Sequence, residues 1–289
     1  MKREILKIEL KKAIFNRWTF VSMSVSMIIC IWSAIVMIMG YKYRIANLEY
    51  LKNDSGVYIK SPHLGMETAF NSWIGGEYAS WTSTLFFFLV PLLASLPYSW
   101  SLFYEYKSGY VKNLFIRSQR KYFYLAKNIV TFIVGGLSVV IPMIINFVII
   151  LCFIPMRLPE PSEYMYYGVF ARSMWSEIFY TYPVIYVICY LFLVFIFAGL
   201  WATLTLEVGK CAKNRYSTII GPYIVLLLFH FITSELLVWQ LPIDITPINY
   251  IRATEITYPS NIWVIVLELT LLALLIVCVE RRNEAADVL

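Results

Sequence analysis

Ionisable side chains embedded in long apolar runs are where chemistry is first sought, because placing a charge in hydrocarbon costs about 3 kcal/mol or more. In this 289-residue chain they are few: His230 and Glu268 lie deep in separate runs, Glu235 lies near the end of the run that holds His230, and Asn146 adds a neutral polar group to a third. On straight helices rising about 1.5 Å per residue, His230 and Glu268 fall at one depth, roughly 12 Å from the outer boundary, so the spacing predicts neighbours. Together these four could line a substrate path. They could equally be structural, the His–Glu pair fixing helix packing at about 0.6 to 2 kcal/mol per contact. Glu235 is expected at the interface and solvated.

Covalent and metal chemistry find no pattern here. Two histidines, His63 and His230, cannot build a multi-histidine metal site, and there is no H-E-x-x-H or G-x-S-x-G. The expectation is no catalytic residue and no metal site. The five cysteines, Cys30, Cys152, Cys189, Cys211 and Cys278, form no C-x-x-C and read as buried thiols acting as small hydrophobes. A phosphate-cradling loop is missing as well, since Gly209-Lys210-Cys211 has neither the upstream glycine nor the hydroxyl. No cofactor is expected in this chain; if ATP drives it, another chain binds the nucleotide.

A second constellation is charged and aromatic. From Glu105 to Lys127 the chain reads EYKSGYVKNLFIRSQRKYFYLAK, with Lys107, Lys112, Arg117, Arg120, Lys121 and Lys127 interleaved with Tyr, Phe, Leu and Ile. A purely solvated loop has no need of those aromatics. Glu105, Gly109 four residues on, a short apolar helix containing Leu114 and Phe115, and then a basic segment predict an elbow over residues 104 to 128. It turns out of the membrane and back, presenting a surface for another protein.

The elements that position these groups follow from composition. Hydrophobic residues make up 60% of the chain and charged residues 15%, with a mean hydropathy of +0.68, which excludes a soluble domain and implies an integral membrane protein. A span needs about 20 apolar residues. Six windows qualify, at about 19–40, 82–103, 129–155, 183–206, 217–238 and 260–279, giving an all-α polytopic fold in one transmembrane domain. Of the 24 Lys and Arg, 17 fall in the N-terminal segment, the elbow, the 207–216 turn and the C-terminus. By the positive-inside rule that side, with both termini, is cytoplasmic. The net charge of +6 is therefore mostly topology, and no nucleic-acid partner is expected.

Residues 1–18 read as an interfacial amphipathic helix with Leu6, Leu10, Ala13 and Ile14 on one face. The 41–81 segment is the longest outer stretch; Phe70, Trp73, Tyr78 and Trp81 are expected to rest at the interface, Gly75-Gly76 to allow a tight turn, and Asn53-Asp54-Ser55 matches a glycosylation sequon. Pro91, Pro97 and Pro142 predict kinks. The stretch between the fifth and sixth windows, rich in Pro, Ile and Tyr, is expected to be re-entrant or to lie flat at the outer surface.

An amphipathic first helix, six spans, inward termini and an elbow carrying Glu105, Gly109, Arg117, Arg120 and Lys127 together resemble the type-2 ATP-binding-cassette exporter permeases. AFNSWIGGEYASW and VPLLASLPYS resemble segments of small Gram-positive members. The resemblance implies a bacterial plasma-membrane subunit, working as a homodimer or with a sister permease, whose elbow rests on a cytoplasmic nucleotide-binding ATPase that holds ATP and Mg. It implies export of a peptide, with antimicrobial or lantibiotic-like cargo in self-immunity, or of a hydrophobic compound. Contact with membrane lipid goes with it. An ion-driven secondary transporter using His230, Glu235 and Glu268 is the competing class, and a non-transporting sensor or immunity subunit is a third.

Overall fold

The computed structural model describes residues 2–54, 67–78, 80–117, 119–212, 214–236, 240, 243–255 and 258–285; most of these are helical, and there is no strand among them. The helices are α1 (Lys2–Ile14), α2 (Arg17–Asp54), α3 (Ala69–Ser72), α4 (Trp81–Ser95), α5 (Ser101–Lys107), α6 (Tyr110–Arg117), α7 (Arg120–Phe153), α8 (Tyr164–Tyr167), α9 (Ser176–Thr181), α10 (Pro183–Val208), α11 (Arg215–Phe231), α12 (Pro247–Tyr250) and α13 (Ile262–Ala285). Five of them carry stretches long and apolar enough to cross a bilayer: Arg17–Asn47, Arg120–Phe153, Pro183–Val208, Arg215–Leu236 and Ile262–Asn283. The architecture is that of a multi-pass membrane protein. The sequon at Asn53 to Ser55 and His63 lie outside the described side chains.

The window at 82–103 differs from the expected unbroken span. Its helix, α4, stops at Ser95 after 15 residues, about 22 Å against roughly 30 Å of hydrocarbon. Pro97 explains the stop, because it has no N–H to give the carbonyl four residues back. That carbonyl, Leu93 O, instead accepts from the Ser22 hydroxyl at 2.6 Å. The Pro97 carbonyl in turn accepts from Asn16 Nδ2 at 2.8 Å. The kink is thus fastened to the start of α2 and turns the chain directly into α5.

Close approach of α7 and α10 forms the centre. A Cβ on Gly199 would fall 2.6 Å from the Phe132 ring, and one on Gly136 would fall 2.6 Å from the Phe195 ring. Each helix therefore lays a phenylalanine in the other's glycine notch, and the two rings meet edge to face at 5.4 Å. Small residues in membrane helices serve this purpose, letting backbones approach where dispersion is the main attraction. Around this pair pack α2, α4 and α13. Half of the α10 span is buried, against 11% of the spans containing α11 and α13, so these last two have open faces. Of the cysteines with described side chains only Cys30 is buried; Cys152 and Cys278 face outward and Cys189 is intermediate, which corrects the expectation for them.

At the end opposite the elbow, three loops close over the bundle. Ala253 N donates to Gly75 O at 2.9 Å, Glu255 N to Gly168 O at 3.1 Å, and Ala69 N to Pro155 O at 3.1 Å. Phe70 and Trp73 are buried, not interfacial, and both pack on Phe147. Tyr78 and Trp81 are exposed. Nor does the stretch through α12 lie flat: Ile248, Tyr250, Ile251 and Ala253 are inside.

Candidate functional site

The first helix carries the key to the elbow. Leu6, Leu10 and Ala13 of α1 pack with Tyr98, Val130 and Val134, so this face meets α7, while Ile14 turns outward. Glu9, three residues after Leu6 and four before Ala13, shares that inward face and is buried. A carboxylate there requires a cation, and the elbow region supplies it.

Lys127, in the second turn of α7, has no exposed surface. Its Nζ lies 3.0 Å from Glu9 Oε2 and 2.9 Å from Glu105 Oε2, and it donates to Tyr98 Oη at 3.2 Å and Ser101 Oγ at 3.1 Å. Tyr98 donates to Glu9 at 2.6 Å. On the outer side Lys12 bridges Glu9 at 2.9 Å and Glu105 at 3.5 Å and reaches Tyr110 Oη at 3.3 Å. Two carboxylates thus face two ammonium groups, drawn from α1, α5 and α7. Burial pushes the Glu9 carboxyl up, but Lys127, the Tyr98 hydroxyl and Lys12 outweigh it and hold it below the ordinary range. For Lys12 burial works downward, and Glu105 and Glu9 overcome it and raise it.

The residue after Glu105 fastens the elbow in a second direction. Tyr106 and Tyr124 share a hydroxyl–hydroxyl hydrogen bond, and Tyr124 also donates to Asn283 O at 3.4 Å. Asn283 Nδ2 donates to Glu207 Oε2 at 2.6 Å, and Lys210 Nζ to Asn283 O at 2.9 Å. The elbow is therefore tied to α1 and α7 through Glu105 and to α10 and α13 through Tyr106.

Gly109 makes the bend. Its φ of 71° lies in the left-handed region, which glycine enters without the 1 to 2 kcal/mol that a Cβ costs. Beyond it, Leu114 and Phe115 pack inward against Leu102, Val111, Phe123, Tyr124 and Leu206. The outward face of α6 is Lys112, Asn113 and Ile116, the last 83% exposed.

Several expectations change as a result. Glu105 and Lys127 are internal and cannot themselves form a docking surface, while Leu114 and Phe115 hold the elbow to its own bundle. Helix α6 ends at Arg117, and the stretch from Arg120 onward is the start of the continuous helix α7. Arg120 stacks 5.3 Å from the Phe115 ring, and the Arg117 side chain lies outside the described residues. Nothing in the sequence alone marks Ile116, because only the helix register tells it apart from Leu114 and Phe115. Glu9 had a legible signal, an acid inside an apolar stripe.

Of the expected substrate-path set, His230 and Glu235 lie close enough to act on each other electrostatically, but Asn146 and Glu268 have other partners. Asn146 is buried and spends its amide on backbone: Ile74 N donates to its Oδ1 at 2.9 Å, and its Nδ2 donates to Cys30 O at 2.7 Å. That makes it a clamp between α2, α7 and the 73–77 turn. His230 packs edge to face on Phe88 at 5.0 Å, whereas Glu268 accepts from Tyr250. These two environments separate the residues, so the predicted pair does not form. Glu235 is exposed. Among the described residues no group of His, Cys, Asp and Glu is placed to hold a metal.

Comparison of the chain with protein-family models, curated proteins and solved structures gave no match.

Proposed function

We propose that this chain is the membrane-spanning permease subunit of an ATP-driven exporter, with α6 as the helix that docks on a separate cytoplasmic nucleotide-binding ATPase. The observation that carries this reading is the pairing of an outward Lys112–Asn113–Ile116 face with a buried charge node on the adjoining α5, which reaches α6 through Tyr110. A surface helix that only joined two spans would need no such anchorage. Here a push on α6 is passed through Glu105 to α1 and α7 and through Tyr106 to α10 and α13, since salt-bridged and hydrogen-bonded side chains transmit strain as a unit.

In this reading the elbow end is cytoplasmic, α4 with its kink at Pro97 is the sixth crossing, and both termini face the cytoplasm of a bacterial plasma membrane. The bias of Lys and Arg to that side supports the orientation. In this reading a second copy of the chain or a sister permease supplies the other half of the transporter. Cargo in this reading is a peptide or hydrophobic compound taken from the membrane.

A pull-down in mild detergent from the native host tests the docking role. A stoichiometric ATPase should be recovered with the wild-type chain and lost with Lys112→Glu/Ile116→Asp, at unchanged melting temperature. Recovery of the chain alone, without ATPase activity, would refute the reading.

A further inference from the structure

Helices α11 and α13 both pack on α10 but do not close on each other. Between them runs a groove of about 870 Å³ whose walls include Phe197 and Trp201 of α10, Val225 and Phe229 of α11, and Leu271 of α13. This volume is in the range of small-molecule sites. Its lining is almost wholly apolar, yet Glu268 also faces it, and no other carboxylate and no basic side chain does among the described residues. The Tyr250 hydroxyl donates to Glu268, and Asp244 lies close enough to act on it electrostatically. Asp244 takes its own hydrogen bonds from Thr246, at 3.1 Å from N and 2.9 Å from Oγ1. Neither carboxylate forms an ion pair with a Lys or Arg among the described residues. The only carboxylate in a lipid-depth groove, with a second one behind it and no cation, is the complement of a positively charged apolar guest.

We infer that this groove binds a lipophilic organic cation, its charge against Glu268 and its apolar body between Phe197, Trp201 and Phe229. Depth selects the class. Glu268 lies less than two turns into α13, roughly 9 Å below its first residue, where a hydrated ammonium headgroup of a phospholipid does not sit but a cation with delocalised or shielded charge does. Cations of this kind partition into the hydrocarbon boundary and would enter sideways between α11 and α13. The inference deepens the exporter reading by naming its cargo class, and it rests on that reading only for the cation's being transported.

The test uses the full chain in nanodiscs of neutral lipid, without any ATPase, so its failure is separable from failure of the exporter reading. Tetraphenylphosphonium and tetraphenylborate have nearly the same shape and opposite charge. Saturable binding of radiolabelled tetraphenylphosphonium is expected, weakened at least about 10-fold in Glu268→Gln, a difference of about 1.4 kcal/mol, with no competition from tetraphenylborate. Should Glu268→Gln lower the melting temperature, Leu271→Trp, which fills the groove and keeps the carboxylate, must abolish binding. Equal binding by Glu268→Gln at wild-type stability, wild-type binding by Leu271→Trp, or equal competition by the borate would each overturn the proposal. So would efficient cross-linking of two copies through Val225→Cys that tetraphenylphosphonium does not block, since the groove would then be a protomer interface.

Discussion

Lys127 Nζ and Glu9 Oε2 lie 3.0 Å apart, both side chains closed off from solvent, so α1 and α7 share an ion pair that neither can lose without stranding a buried charge. With Glu105 on the other side of the same ammonium, one lysine holds together the N-terminal helix, the elbow and a membrane-spanning helix.

Removing that lysine is therefore expected to be severe. Lys127→Met leaves Lys12 as the one ammonium shared by Glu9 and Glu105, with one negative charge uncompensated in a desolvated space, at a cost of about 3 to 5 kcal/mol. Thermal unfolding in detergent should register it as a fall in melting temperature on the order of 10 °C. The double change Lys127→Met/Glu9→Gln should cost less than the sum of the single changes. Strict additivity would show that the pair is not coupled.

Acid should release the first helix. The Glu9 carboxyl is held below its ordinary value in the folded protein. Its stabilisation is thus fully present above the unfolded value of about 4.3 and is lost as the pH falls through the lower folded value. Hydrogen exchange of residues 4–14 should stay slow from pH 7 down to about 4.3 and quicken below it. In Glu9→Gln, α1 should already exchange fast at pH 7 with little further change on acidification; a wild-type profile in that variant would exclude Glu9 as the titrating group.

The two faces of α6 should separate cleanly. Leu114→Asp places a charge in the cluster around Phe123 and Tyr124 and should destabilise the chain by several kcal/mol. Ile116→Asp, on the open face, should change stability by less than about 0.5 kcal/mol while reducing capture of the ATPase. Equal effects of both on melting temperature would show that α6 has no free face.

Asn146 should behave as a structural residue. Asn146→Leu deprives Ile74 N of its partner, at about 1 to 3 kcal/mol for a buried unpaired donor, and removes a second hydrogen bond from Cys30 O, which keeps its bond within α2. The expected result is a melting temperature lower by several degrees, with substrate-stimulated turnover per folded molecule unchanged. Altered cargo preference at full stability would return Asn146 to the substrate path.

Composition and apolar run length determined the helical, membrane-spanning character of this protein, because both are properties of the chain that hydrocarbon reads one residue at a time. Gly109 and its flanking charges likewise marked the elbow, since a left-handed bend next to a basic amphipathic segment is local. The sequence also held Pro97 in the second window, but only the fold shows α4 ending short of it, with Ser22 taking the carbonyl that the proline leaves unbonded. What lay beyond local reach was which polar groups meet. His230 and Glu268 share a depth on straight helices, but α11 and α13 diverge around a groove, and depth says nothing of rotation or separation. Lys127 reads as one more basic flank until α1 folds back and brings Glu9 to it. The node is decided by the packing of α1, α5 and α7, because a buried charge is tolerable only where distant parts of the chain deliver its partners together.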